Sequence, residues 1–187
     1  YYNKPTQEGL YRHYKAIAEG TGKPVVVYNV PGRTGVNVEP ATLARLAQID
    51  NIVGVKEASG NISQMAAICA RIPKDFDVLS GDDSITLPLA SLGGRGVISV
   101  ASNEIPAQMA ALCNHLLKGE FAEARAIHTQ WLPLMDVNFV ESNPIPVKAA
   151  LARMGLLEAV WRLPMCEPQP ASMARIESVL KQSGLIA

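Results

Sequence analysis

Four short apolar runs constrain this chain more than any other feature: Pro24–Tyr28, Ile52–Lys56, Phe76–Leu79 and Val97–Val100. Each is too short for a helix, and each ends in small or polar residues. That pattern predicts strands buried in a parallel sheet. Helical patterns fill the intervals. Thr6 is placed to cap a helix whose apolar and aromatic residues recur at Leu10, Tyr14, Ile17 and Ala18 and which ends at Gly20 or Gly22. The loop Asn29–Asn37 carries the breakers Pro31, Gly32 and Gly35, and Glu39–Gln48 reads as a second helix. Asn61 caps Ile62–Arg71, and Asp82 and Asp83 stand where a helix running to Leu92 begins. Strand, loop and helix thus alternate with short connections, which implies parallel strands and an α/β fold. Beyond Ala101 the strands stop. Pro106–Leu117, Phe121–Phe139, Pro146–Met154 and Ala171–Gln182 all read as helices.

Four parallel strands can belong to a doubly wound sheet, but no Gly-x-Gly-x-x-Gly follows any of them. The alternative is the second half of a TIM (β/α)8 barrel, a fold of about 250 residues when complete. On that reading residues 1–105 form the half-barrel, and residues 106–187 form barrel-closing helices and a C-terminal helical domain. Tyr1-Tyr-Asn-Lys-Pro5 reads like the exit from a strand, so an N-terminal part of a larger protein is expected upstream. The 187 residues are 48% hydrophobic, enough for one well-formed core. Basic and acidic side chains balance at 17 each, which argues against nucleic acid or an anionic membrane as partner. Cys69, Cys113 and Cys166 are odd in number and widely spaced, so they are expected as reduced core residues in a cytosolic protein. No His or Cys spacing resembles a metal cage, and neither metal nor cofactor is expected. His13, His115 and His128 fall on helices away from the strand ends, in surface or packing roles.

In a barrel, chemistry gathers where the strands end. Those ends present Tyr28, Lys56, Gly81 with Asp82, and Ser99. A lysine at a buried strand end has two uses. It can snorkel its ammonium to solvent. Burial can instead favour the neutral amine, a nucleophile that forms Schiff bases with carbonyl substrates. Tyr28 ends the neighbouring strand, and a phenol beside an amine can give and take the protons of imine formation. Arg33, in the loop beyond Tyr28, can grip a carboxylate with its planar fork. Taken singly, Tyr28 could be a lid on the core and Arg33 a solvated charge. Three compatible groups on one rim favour a site.

Tyr28-Asn-Val-Pro-Gly-Arg-Thr-Gly35, followed one βα unit later by Gly54-Val-Lys-Glu-Ala58, resembles the signature of the dihydrodipicolinate synthase / N-acetylneuraminate lyase family. Tyr1-Tyr-Asn-Lys-Pro5, Leu79-Ser-Gly-Asp-Asp83, Gly93-Gly-Arg-Gly-Val-Ile-Ser99 and Asn143-Pro-Ile-Pro-Val-Lys148 match it in the same order. The resemblance implies that Lys56 forms an imine with pyruvate and that Tyr28 relays its protons. It implies that Arg33 binds the carboxylate of aspartate semialdehyde, and that Gly81 and Ile98 line the pyruvate pocket. Tyr2 is similar to a tyrosine that completes the relay of a neighbouring subunit. Tyr1 is similar to an aromatic residue near a lysine feedback site. A dimer or dimer of dimers is implied.

The expected reaction is condensation of pyruvate with L-aspartate 4-semialdehyde, in lysine and diaminopimelate biosynthesis. Two alternatives stand beside it: another pyruvate-dependent aldolase like N-acetylneuraminate lyase, and a non-catalytic half-barrel. The family's Gly-Thr-Thr-Gly-Glu motif, which binds the pyruvate carboxylate, is not in this sequence and is expected before Tyr1.

Overall fold

The computed structural model describes residues 2–187. They divide into two compact units, the first running to Ile98 and the second spanning Ser99–Ala187. In the first unit, four strands form one parallel sheet among the described residues, in the order β1 (Val25–Asn29), β2 (Ile52–Glu57), β3 (Asp77–Ser80) and β4 (Gly96–Val97). The helices α1 (Gln7–Thr21), α2 (Pro31–Thr34), α3 (Pro40–Leu46), α4 (Ile62–Cys69) and α5 (Thr86–Ser91) accompany it.

Local chemistry explains the helix ends. The Thr6 hydroxyl accepts a hydrogen bond from the Gly9 amide at 3.2 Å, and Gly22, at φ 59°, closes α1 in the left-handed region. Asn61 caps α4 by accepting from the Gln64 amide at 3.0 Å. The Asp82 carboxylate accepts from the Ser84 amide, and the chain passes through a 3-10 turn, Asp83–Ile85, before α5 begins. The loop after β1 is more ordered than its glycines suggested. Pro31 starts the single-turn α2, and Gly35 at φ 69° ends it.

The pleat separates the sheet into two faces. Val27, Val55 and Val78 point to one side and are fully buried with Leu43, Leu46, Met65, Ile68 and Leu89. Val26 and Tyr28 point to the other side, which is open, at 43% and 41% exposure.

All four strand ends differ from expectation. β1, β2 and β3 each continue one residue, to the buried Asn29, Glu57 and Ser80. Expected over Val97–Val100, β4 is only Gly96–Val97, so Ser99 does not end a strand. β4 lies at the sheet edge with β3 alone beside it, and after Ile98 the chain turns: the Ser99 hydroxyl accepts from the Ser102 amide at 2.8 Å.

The second unit contains α6 (Pro106–Leu117), α7 (Phe121–Val137), α8 (Ile145–Arg153) and α9 (Pro170–Gln182). Helix α6 packs on α7, and α9 packs on both α7 and α8. Leu112, Leu134, Met135, Ala150, Ile176 and Leu180 form its interior. None of the three cysteines is in a disulfide. Cys166 is not a core residue: it lies exposed in the stretch between α8 and α9, where no helix holds it inward. Among the described residues, no helix is long and apolar enough to cross a membrane.

Candidate active site

β1 and β2 run parallel with Tyr28 opposite Lys56. Both side chains leave on the open face, and the Lys56 Nζ lies over the Tyr28 ring, 4.1 Å from its centroid. An ammonium at that distance is attracted by the ring face. Once neutral, the same nitrogen is a nucleophile held beside an aromatic hydroxyl-bearing ring. Lys56 is half-buried, so its amine can still be reached from solvent.

Gly81 makes room for that lysine. A Cβ at Gly81 would sit 2.6 Å from the Ala58 Cβ and 3.2 Å from the Lys56 Cε. Any side chain there would push the amine away or spread β2 from the β3 loop. The Gly81 amide donates to the Glu57 carbonyl at 2.8 Å, extending the ladder beyond the strand ends. Ile98 continues the open side next to β3, its amide donating to the Ser80 carbonyl, and its side chain is 43% exposed.

Arg33 is exposed on α2, close in sequence to the end of β1. Its turn is pinned by the Gly35 amide on the Pro31 carbonyl and by the Thr34 hydroxyl, whose single proton lies within reach of both the Val36 carbonyl at 2.9 Å and the Val30 carbonyl at 3.2 Å. Tyr2 stands 85% exposed ahead of α1. Tyr1 lies outside the described residues. A hollow of about 420 Å³ flanks Tyr28, lined by Asn3, Pro5, His13, Tyr14, Thr34 and Val36 among others. His13 is therefore not remote from the strand ends, because α1 carries it to the hollow beside Tyr28. Burial pushes the Tyr14 phenol above its usual pKa, so it stays protonated in that wall. The structure thus brings Tyr28, Lys56 and Gly81 together directly, with Ile98 on the adjoining strand exit.

The sequence pattern of the dihydrodipicolinate synthetase family matches residues 1–183. The chain belongs to that family. A 4-hydroxy-tetrahydrodipicolinate synthase from Koribacter versatilis is 53% identical over all of this chain and 62% of its own length. The crystal structure of dihydrodipicolinate synthase from Thermotoga maritima superposes with a TM-score of 0.97 at 50% identity, covering all of this chain and 64% of that one. The chloride-inhibited dihydrodipicolinate synthase from Acinetobacter baumannii, solved in complex with pyruvate, superposes with a TM-score of 0.96 at 43% identity over all of this chain and 64% of that one. The chain therefore spans less than two thirds of the length of these relatives.

Behind the rim, this member of the dihydrodipicolinate synthetase family carries polar residues that the sequence reading passed over. Asn29 and Glu57 follow Tyr28 and Lys56 and form the next register pair, on the helix-covered face. Both are buried, and the Asn29 amide donates to the Glu57 Oε2 at 2.9 Å. The Ser59 amide donates to the other carboxylate oxygen at 2.8 Å. Asn29 also donates to Asn37 and accepts from the Val38 amide, each at 2.9 Å. The signal available in sequence was the polar residue directly after each rim residue, Asn after Tyr28 and Glu after Lys56. In strands of matched length these must meet on the opposite face.

Proposed function

We propose that this chain supplies the Schiff-base half of a 4-hydroxy-tetrahydrodipicolinate synthase. The observation that carries the proposal is the Tyr28–Lys56 register pair, with the amine 4.1 Å from the ring centroid, in a chain of this family. The neutral Lys56 amine attacks the ketone carbon of pyruvate. A C–N bond forms, and the ketone oxygen leaves as water once protonated. Tyr28 gives and takes those protons. The imine nitrogen then accepts electrons as a methyl proton is lost, producing an enamine without a metal or cofactor as electron sink. The enamine carbon attacks the aldehyde of L-aspartate 4-semialdehyde, forming the new C–C bond. The amino group of the semialdehyde finally attacks the imine carbon, releases Lys56 as the free amine and closes the ring.

Arg33 has the role of holding the carboxylate of the semialdehyde, for which an exposed guanidinium on a pinned turn is suited. Gly81 and Ile98 line the pyruvate pocket. The open face of the sheet is the interior of a (β/α)8 barrel whose remaining strands lie outside this chain. Tyr2 reaches the relay of a neighbouring subunit in a dimer or dimer of dimers. Lysine is the expected feedback effector, at a site near Tyr1. Three cysteines outside any disulfide suit a reducing cytosolic compartment.

The test is a panel of aldehydes supplied with pyruvate to the protein at its full natural length. L-Aspartate 4-semialdehyde should be the preferred acceptor, and Lys56→Ala should leave no turnover. Preference for a sugar aldehyde would move the assignment to a lyase of the N-acetylneuraminate type. Turnover surviving in Lys56→Ala would end the Schiff-base reading altogether.

A further inference from the structure

We propose that Asn29 and Glu57 are positioning residues that hold Tyr28 against Lys56, an inference that rests on the imine reading above. The apolar residues of β1 cannot set the register by themselves. Val25, Val26 and Val27 are three valines in succession, and Val26 faces Gly54, which offers no side chain to pack. The pairing is also irregular between Val25 and Val26. A slip of one residue would turn Tyr28 toward the helices and remove it from the amine, because side chains alternate in a strand.

The hidden pair resists that slip. Glu57 is fully buried, and its two carboxylate oxygens accept from the Asn29 side chain and the Ser59 amide. Moving Asn29 by one position would take a hydrogen bond from a buried carboxylate, which costs far more than the bond contributes when made. The restraint then spreads outward. Asn37 and Gln64 exchange side-chain hydrogen bonds at 2.8 and 3.0 Å, joining the loop after α2 to α4. The Gln7 amide donates to the Asn37 carbonyl at 2.7 Å, joining the same loop to α1. One network, buried at Asn29 and Glu57 and half-buried at Asn37, Gln64 and Gln7, therefore ties together the strand that carries Tyr28, the strand that carries Lys56 and the loop that follows Arg33.

Reversing the polarity of the pair tests this. Asn29→Asp sets two carboxylates against each other. Adding Glu57→Gln restores one donor to the pair and keeps the total charge, with the Asn37 and Gln64 amides turning over to match. The full-length protein and its variants are assayed with pyruvate and the semialdehyde. Active sites are counted by borohydride trapping of pyruvate on Lys56, so that loss of folded protein does not enter kcat. A displaced proton-transfer group should lower kcat per site about tenfold or more in Asn29→Asp. The KM for pyruvate should change less than about threefold. The double variant should return to within about threefold of the unmodified protein. Should Asn29→Asp fail to fold, Asn29→Ala removes the donor without adding charge and carries the same expectation. Unchanged kcat per site in the single variant, or a double variant no better than the single, would overturn the positioning role. An unmodified protein that traps no pyruvate on Lys56 would instead overturn the imine reading.

Discussion

The two faces of the β1–β2 pair use the same backbone for opposite ends. On the open face, Tyr28 and Lys56 are accessible and in contact with each other, and neither is needed to fill the core. On the covered face, Val27 and Val55 fill the core while Asn29 and Glu57 bond to each other out of reach of solvent. One peptide unit separates each rim residue from a buried one. Rigidity is built on one side of the sheet and expressed as geometry on the other. A site placed on strands in this way is held more firmly than one carried by loops.

Substitutions on the two faces should therefore separate activity from stability. The largest effect belongs to Lys56→Ala, which should reduce both turnover and pyruvate trapping to background while leaving the denaturation midpoint close to that of the unmodified protein. Tyr28→Phe keeps the ring under the amine but removes the hydroxyl, so kcat should fall about 100-fold with trapping still detectable. On the covered side, Val27→Ala should lower the unfolding free energy by about 2 kcal/mol through lost burial and the cavity left behind. Its kcat per trapped site should hold, and a large fall in kcat would blur the division between the faces. Arg33→Ala should raise the KM for the semialdehyde about tenfold, the scale of one charged hydrogen-bonded contact. Its pyruvate trapping should be unchanged; loss of trapping would give Arg33 a different role. The smallest effect expected of this chain by itself is Val26→Ala, within about 0.5 kcal/mol because the side chain is already half in water. In a full-length protein whose remaining strands cover the open face, the same change should cost nearly as much as Val27→Ala. Equal, small costs in both would argue against closure of a barrel over that face.

Much of this was legible in the sequence because apolar runs of strand length and capping residues act locally. Thr6 and Asn61 cap the helices they precede, Asp82 caps the 3-10 turn Asp83–Ile85 instead of α5, and β1 to β3 end within a residue of where their runs end. The misses have tertiary causes. β4 is short because an edge strand with one partner gains less by continuing, and Ser99 is drawn into the next turn. Cys166 is exposed because the segment between α8 and α9 has no periodicity to bury it. His13 reaches the hollow beside Tyr28 because the fold returns α1 to the exit of β1, which spacing along the chain does not reveal. The Asn29–Glu57 pair stayed hidden for a different reason. A carboxylate at a strand end reads as solvated until its partner is seen, and that partner is 28 residues away.

The most direct test of the account is the intact mass of the protein after pyruvate and borohydride, followed by peptide mapping. The account predicts one reduced pyruvate per chain, on the peptide carrying Lys56, and no adduct in Lys56→Ala. An unmodified chain, or an adduct on any other lysine, would contradict it.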